Sequence, residues 1–165
     1  MCEIIVNVIG TIIGGLLLTL ILFLLNEYAF PKINLTGEWK TIISIKKTTY
    51  NPFKDLKVEY AIHLIQKGYE LSGSGEKIKD IKPDGSETVF IREKRVLVDI
   101  EGYFERKYFG KSKVYLNISE EGRKRETRAT YILEFNHNNN LSGVFKSTAG
   151  DASGIISMNK TWLKQ

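Results

Sequence analysis

The chain begins with one unbroken apolar segment and then changes to short alternating runs. Residues 4–26 carry no charged side chain, and as a helix they would extend about 34 Å, enough to cross a hydrocarbon core of about 30 Å. From residue 37 onward, apolar and polar positions alternate with a period of two, which is typical of β-strands with one buried face. The pattern predicts one membrane helix followed by a β-rich domain.

Nine alternating runs are separated by turn residues such as Gly, Asn and Asp. They are GEWKTIISI, VEYAIHLIQ, YELSGSGEKI, ETVFI, RVLVDIEGYFERKYF, KVYLNIS, TRATYILEF, NLSGVFKS and SGIISMNKTW. Short turns favour an antiparallel meander, which hides its edges best by closing into a barrel. We predict an all-β fold, a small antiparallel barrel of about eight strands preceded by one transmembrane helix. The expected boundaries are 1–30 for the helix, 31–35 for a linker and 36–163 for the barrel.

The first thirty residues fit a membrane anchor better than a cleaved secretory signal. The leader has no basic residue, and no small-residue cleavage site follows the apolar run. Lysines at 32, 40, 46 and 47 follow the span closely, so the positive-inside rule predicts a single-pass membrane protein with a cytoplasmic barrel. Four Asn-x-Ser/Thr triplets leave an extracytoplasmic, glycosylated barrel as the alternative.

Small residues follow two faces of the predicted membrane helix. Gly10 and Gly14 form a GxxxG pair, and Thr11, Gly15 and Thr19 form a second row at spacing of four. Small side chains let two helices approach closely. We expect Gly10, Gly14, Gly15 and Thr19 to support a homo-oligomer, although glycines are also common in membrane helices that do not associate.

Residue counts argue against a metal centre and against catalysis. The chain has one cysteine and two histidines, too few for a zinc site of the usual kind, and no cofactor is predicted. His63 falls in a predicted strand, His137 in an Asn-rich turn, and Cys2 precedes the span, with no nucleophile motif near any of them. We therefore expect a protein that is not an enzyme.

Charge and parity together indicate a binding site in the barrel. The chain has 24 Lys and Arg against 19 Asp and Glu, and the first thirty residues hold two of the acids and no base, so the rest carries an excess of seven positive charges. Extending the apolar faces of the strands places several cations and two tyrosines on the inner wall. The predicted ligand-binding residues are Tyr60, Arg92, Lys94, Arg106, Arg125, Thr127 and Tyr131. Arg side chains can form bidentate hydrogen bonds with phosphate, and Tyr rings can stack on bases. The alternative is that the same cations lie in frayed strand ends exposed to solvent.

Two features resemble known protein families. Gly37 and Trp39 form the GxW of lipocalin-like barrels. The order of membrane span, GxW strand, a strand ending in Gln66, the glycine run 71–75 and a final hairpin resembles the SMODS-associating transmembrane, β-strand-rich effectors of bacterial CBASS anti-phage systems. This chain has one evident span where that family usually has two.

The resemblance to CBASS effectors implies a specific function. Such an effector would bind a cyclic dinucleotide made by a partner nucleotidyltransferase, then oligomerise and disrupt the inner membrane, with no DNA or RNA polymer as ligand. A membrane-tethered, lipocalin-like carrier of an apolar small molecule is the alternative. A third interpretation is a scaffold whose barrel is filled with side chains.

Overall fold

The protein, described here from a computed structural model, forms two compact units, residues 1–34 and 35–165. The structure describes residues 2–25, 33–91, 94–107, 110–121, 126–136 and 140–161. The first unit contains one helix, α1 (Cys2–Leu24). Its segment Val6–Leu24 is long and apolar enough to cross a membrane, as the sequence predicts.

The second unit is an antiparallel barrel. Its strands are β1 (Gly37–Lys47), β2 (Lys57–Lys67), β3 (Glu70–Ile81), β4 (Glu87–Val89), β5 (Leu97–Glu105), β6 (Lys113–Glu121), β7 (Glu126–Asn136), β8 (Asn140–Ser147) and β9 (Ser153–Lys160). Neighbours follow the order β2, β1, β9, β8, β7, β6, β5, β3, and β3 also pairs with β2, which closes a ring of eight strands. The short β4 pairs with the far end of β3. The closed barrel after one helix confirms the predicted fold class.

Alternation along each strand decides which side chains fill the barrel. In β1, Trp39, Thr41 and Ile43 are buried, whereas Glu38 before Trp39 and Lys40 after it are exposed. Successive side chains of a strand point to opposite faces, so closing the sheet turns one parity into the interior. The same alternation of buried and less buried positions runs along β2, β5 and β6.

The end of the barrel at which β1 begins is closed by Trp39. The indole Nε1 donates a hydrogen bond to the Leu35 carbonyl oxygen at 2.9 Å, and the Leu35 amide donates to Gln66 Oε1 at 2.8 Å. Leu35 and Trp39 are almost fully buried, with exposed fractions of 0 and 1 %. These bonds satisfy polar groups that would be costly to bury alone. The GxW tryptophan therefore acts as a plug.

Glycines allow neighbouring strands to pass very close to each other inside the ring. A Cβ atom at Gly102 would meet the backbone oxygen of Tyr115, and one at Gly143 would meet that of Ile132, each on the adjacent strand. Because glycine has no Cβ, it suits a strand position where another backbone approaches. The sequence predicts such an approach or a bend for Gly73 and Gly75, and a Cβ there would likewise meet backbone oxygens of β2.

A bulge in β3 changes which of its side chains point inward. Tyr60 lies opposite Lys77, whereas Val58, two residues earlier, lies opposite Asp80, so β3 has one residue more than β2 in this stretch. An extra residue reverses the parity of everything that follows it. Lys77 and Asp80, three residues apart, consequently both face the interior.

Replacing the plug tests the closed end. We expect Trp39→Phe to lower the free energy of unfolding by about 2–4 kcal/mol, because it leaves the buried Leu35 carbonyl without its donor and opens a small void. Tyr69→Phe is the matched control, since Tyr69 is exposed. Urea unfolding of the full chain in detergent measures both. A loss no larger than that of the control would contradict the role of the plug.

Candidate ligand-binding cavity

The half of the barrel away from Trp39 is hollow. It contains a cavity of about 430 Å³, bordered by two short 3-10 turns, Asn51–Phe53 before β2 and Ala149–Asp151 before β9. Small-molecule sites in proteins usually occupy about 300–1,000 Å³. The volume therefore suits one small ligand.

One wall of this cavity is apolar. Ile43 and Ile45 of β1, Leu56 before β2 and Phe145 of β8 line it, all of them buried, and Phe53 borders the mouth. Covering apolar surface is worth about 25 cal/mol per Å² removed from water. This wall would hold the apolar part of a ligand.

The facing wall is polar, and its centre is a hydrogen bond across the barrel. The Tyr60 hydroxyl of β2 donates to Glu120 Oε2 of β6 at 2.8 Å, and Thr127 lies beside Glu120 on β7. Burial, reinforced by the neighbouring Tyr131 and Glu120, raises the pKa of Tyr60 well above its usual range. The phenol therefore keeps its proton and donates a hydrogen bond to the carboxylate of Glu120.

An ion pair occupies the next part of the polar wall. Lys77 Nζ lies 2.9 Å from Asp80 Oδ1, and it also lies 4.6 Å from the centre of the Phe90 ring. Both charged side chains are mostly buried. Burial raises the pKa of Asp80, while the nearby Lys77 charge opposes the shift. The ammonium of Lys77 is thus already paired with Asp80 and packed against Phe90.

Tyr131, a buried residue, lines the same cavity. Its side chain is 3 % exposed, and its ring meets that of Phe145 edge to face, with centroids 6.3 Å apart. Among the described residues its hydroxyl has no hydrogen-bond partner. Burial first, and then the Glu120 charge, raise the pKa of Tyr131 above its usual range. The neutral phenol can both donate to and accept from a ligand.

The structure brings together three of the seven predicted ligand-binding residues. Tyr60, Thr127 and Tyr131 all line the cavity. The alternation of inward and outward positions predicts the location of these three side chains because each lies inside a regular strand.

The predicted cations are not gathered with these three residues. Lys94 is exposed, ahead of the first residue of β5. Arg106 directly follows β5 at the end of the barrel where Trp39 lies, opposite the cavity. Alternation stops where a strand stops, so it does not carry either side chain to the inner wall. Arg92 and Arg125 lie outside the described residues.

Three polar residues of the cavity region were not predicted from the sequence. Glu120 follows the buried residues Val114, Leu116 and Ile118 of β6 at the same spacing of two. Its inward position could therefore have been predicted from the sequence. Lys77 likewise continues the inward face that includes Gly73 and Gly75. Asp80 turns inward only because of the bulge in β3, for which the sequence gives no clear signal.

A larger groove lies on the outer surface over β1, β2, β3 and β5. Its volume is about 720 Å³, and ion pairs cross it, Lys40 with Glu59 at 3.1 Å and Arg95 with Glu76 at 2.6 Å. His63 lies in this groove and is exposed. Exposed ion pairs contribute little and hold water nearby. The interior cavity is the better candidate site because buried apolar side chains and the hydrogen bond between Tyr60 and Glu120 line it.

The bond across the barrel can be measured as a coupling energy. We expect Tyr60→Phe to lower the free energy of unfolding by about 1–3 kcal/mol, because the Glu120 carboxylate loses its donor. Combined with Glu120→Ala, which removes the acceptor, in a double-mutant cycle, it should give a coupling of about 0.5–3 kcal/mol. Urea unfolding of the four proteins supplies the values. Strict additivity would mean that the bond makes no net contribution.

Comparison with known proteins assigns no function to the cavity. The chain matches no protein-family model, no curated protein and no solved structure. The resemblances to lipocalin-like barrels and to CBASS effectors therefore stay predictions.

Proposed function

We propose that this protein is a membrane-anchored binding protein whose barrel holds one small, largely apolar molecule in the cavity. The observation that carries this proposal is the hollow inside the barrel, with its apolar wall of Ile43, Ile45 and Phe145. The ligand enters at the end away from Trp39. Binding rather than catalysis is the task, because the walls offer shape and a few polar contacts.

Small side chains support binding over a purely structural barrel. Ala129, Ser147, Ala149 and Ala152 all line the cavity. Larger side chains at such inward positions would fill the space and gain packing energy. A scaffold has no need of the hollow, whereas a binding protein does.

The membrane anchor is proposed from α1. An apolar helix of this length can cross a bilayer, and the lysines that follow it in the sequence favour the cytoplasmic side for the barrel. Anchoring would keep the cavity close to a source of apolar molecules.

A second candidate is the effector gated by a cyclic dinucleotide. Tyr60 and Tyr131 lining one cavity favour it, because their rings suit flat bases. The charges favour it less: Lys77 is paired with Asp80, and Glu120 faces the same space, where two ligand phosphates would need cations. We therefore place the apolar ligand first.

Filling the cavity tests the proposal. Organic extraction of the purified full chain, followed by mass spectrometry, should release an apolar compound from the native protein. Ala129→Phe should lose most of it, because the added ring occupies the cavity. Ala61→Phe is the matched control, since Ala61 lies on the outer face of β2.

Two results would contradict the apolar ligand. Equal recovery from the native protein and Ala129→Phe would remove the cavity as the binding site. Calorimetric binding of cyclic di-GMP that Ala129→Phe abolishes and Ala61→Phe leaves intact would establish the second candidate instead.

Self-association of the helix is proposed as well. A Cβ added at Gly10, Gly14 or Gly15 meets nothing within 4 Å beyond the helix itself, so these positions are open to a partner helix. The Thr19 hydroxyl donates to the Gly15 carbonyl at 2.8 Å, which satisfies it without a partner. Glycine packing is therefore the stronger element.

Bulky replacements test the helix contact. Gly10→Leu with Gly14→Leu should weaken dimers of the full chain in detergent by tenfold or more, about 1.4 kcal/mol, because the helices can no longer approach. Ile12→Phe adds bulk on the opposite face and serves as the control. Equilibrium ultracentrifugation measures both, and equal weakening by the two changes would contradict the glycine interface.

A further inference from the structure

The cavity has two unlike walls, and its polar wall is acidic. We propose that its natural ligand is an amphiphile with an apolar body and a cationic, amine-type head group, and that the head lies against Glu120 and Tyr131. This inference rests on the proposed function and specifies its ligand. The apolar body would lie on the wall formed by Ile43, Ile45 and Phe145.

The sign of the head group follows from the charges that face the hollow. In the described part of the inner wall these are Lys77, Asp80 and Glu120. Lys77 and Asp80 neutralise each other at 2.9 Å. Among the described residues, the charge left to act on a ligand is the carboxylate of Glu120.

Among the described residues, the hydrogen-bond donor that Glu120 holds is neutral. Glu120 Oε2 accepts from the Tyr60 hydroxyl at 2.8 Å, and that hydroxyl does not cancel the negative charge. A carboxylate in a half-buried site attracts a cation more strongly than it would in water, and it repels an anion by the same factor. Charge-assisted hydrogen bonds are also about twice as strong as neutral ones. An ammonium is therefore the best partner on electrostatic grounds.

The hydroxyl of Tyr131 points to a ligand independently of charge. Its side chain is 3 % exposed and lines the cavity, and among the described residues no group forms a hydrogen bond with this hydroxyl. A phenol hydroxyl without a protein partner keeps its donor and its acceptor capacity for a ligand. A ligand amine can donate to this oxygen and to the Glu120 carboxylate at once.

A matched series of probes tests the head group. The full chain is placed in nanodiscs of zwitterionic lipid and titrated by calorimetry with octylamine, octanol and octanoate, and protein-free discs correct for partition into lipid. We expect octylamine to bind most tightly, octanol next and octanoate most weakly. Octylamine should exceed octanol by about tenfold or more, as a charge-assisted hydrogen bond would give.

Variants assign the preference to named groups. Glu120→Gln keeps the size of the side chain and should reduce the affinity for octylamine to that for octanol, whereas Glu121→Gln, one residue on and exposed, should change nothing. Tyr131→Phe should weaken octylamine and octanol alike. The order of the three probes on the native protein stands as a test even if a variant fails to fold.

The outcomes separate this inference from the function on which it rests. Equal binding of octylamine and octanol, or tighter binding of octanoate, overturns the cationic head group and leaves an apolar binding cavity in place. No binding of any of the three overturns the cavity as a site for amphiphiles, and with it the proposed function. An amine preference that survives Glu120→Gln overturns the assignment to Glu120.

Discussion

Pairing of β2 with β3 closes the sheet, and the rest of the barrel depends on that closure. The two strands pair from Lys57 and Ile81 at one end to Lys67 and Glu70 at the other, and the first half of β3 also pairs with β5. Once the ring is closed, its strands have no free edge and one parity must face inward. The chemistry of the interior is then set by the side chains that occupy the inward-facing positions.

The inward residues differ sharply in size between the two ends. Near the start of β1 they are large, with Trp39, Leu116 and Leu133 almost fully buried. Toward the other end the chain places small residues such as Ala129 and Ala152 beside the cavity. A close-packed end supplies stability, because packing energy grows with the number of contacting atoms. The other end can stay open because the plugged half holds the ring together.

How far sequence reasoning succeeds depends on whether a residue lies within a regular strand. Tyr60, Thr127 and Tyr131 do, and alternation alone places them in one cavity. Lys94 and Arg106 lie just beyond the ends of β5, where the periodic signal has no structural basis. Asp80 faces the interior only because of the bulge in β3. A bulge depends on strand pairing across the sheet rather than on local sequence. The fold class was predictable, whereas the polar groups of the site were so only in part.

The positive charge of the chain and the acidity of the cavity act at different places. On the outside, several cations are already paired, for example Lys79 with Glu87 at 2.7 Å and Lys40 with Glu59 at 3.1 Å. The surplus that remains acts through solvent and is screened within about 8–10 Å at ordinary ionic strength. Inside, Glu120 would act on a bound molecule over a few ångströms through a medium that screens poorly. The net charge of the chain therefore carries little information about the proposed ligand, whose head group would be selected by the local arrangement of Glu120, Tyr60 and Tyr131.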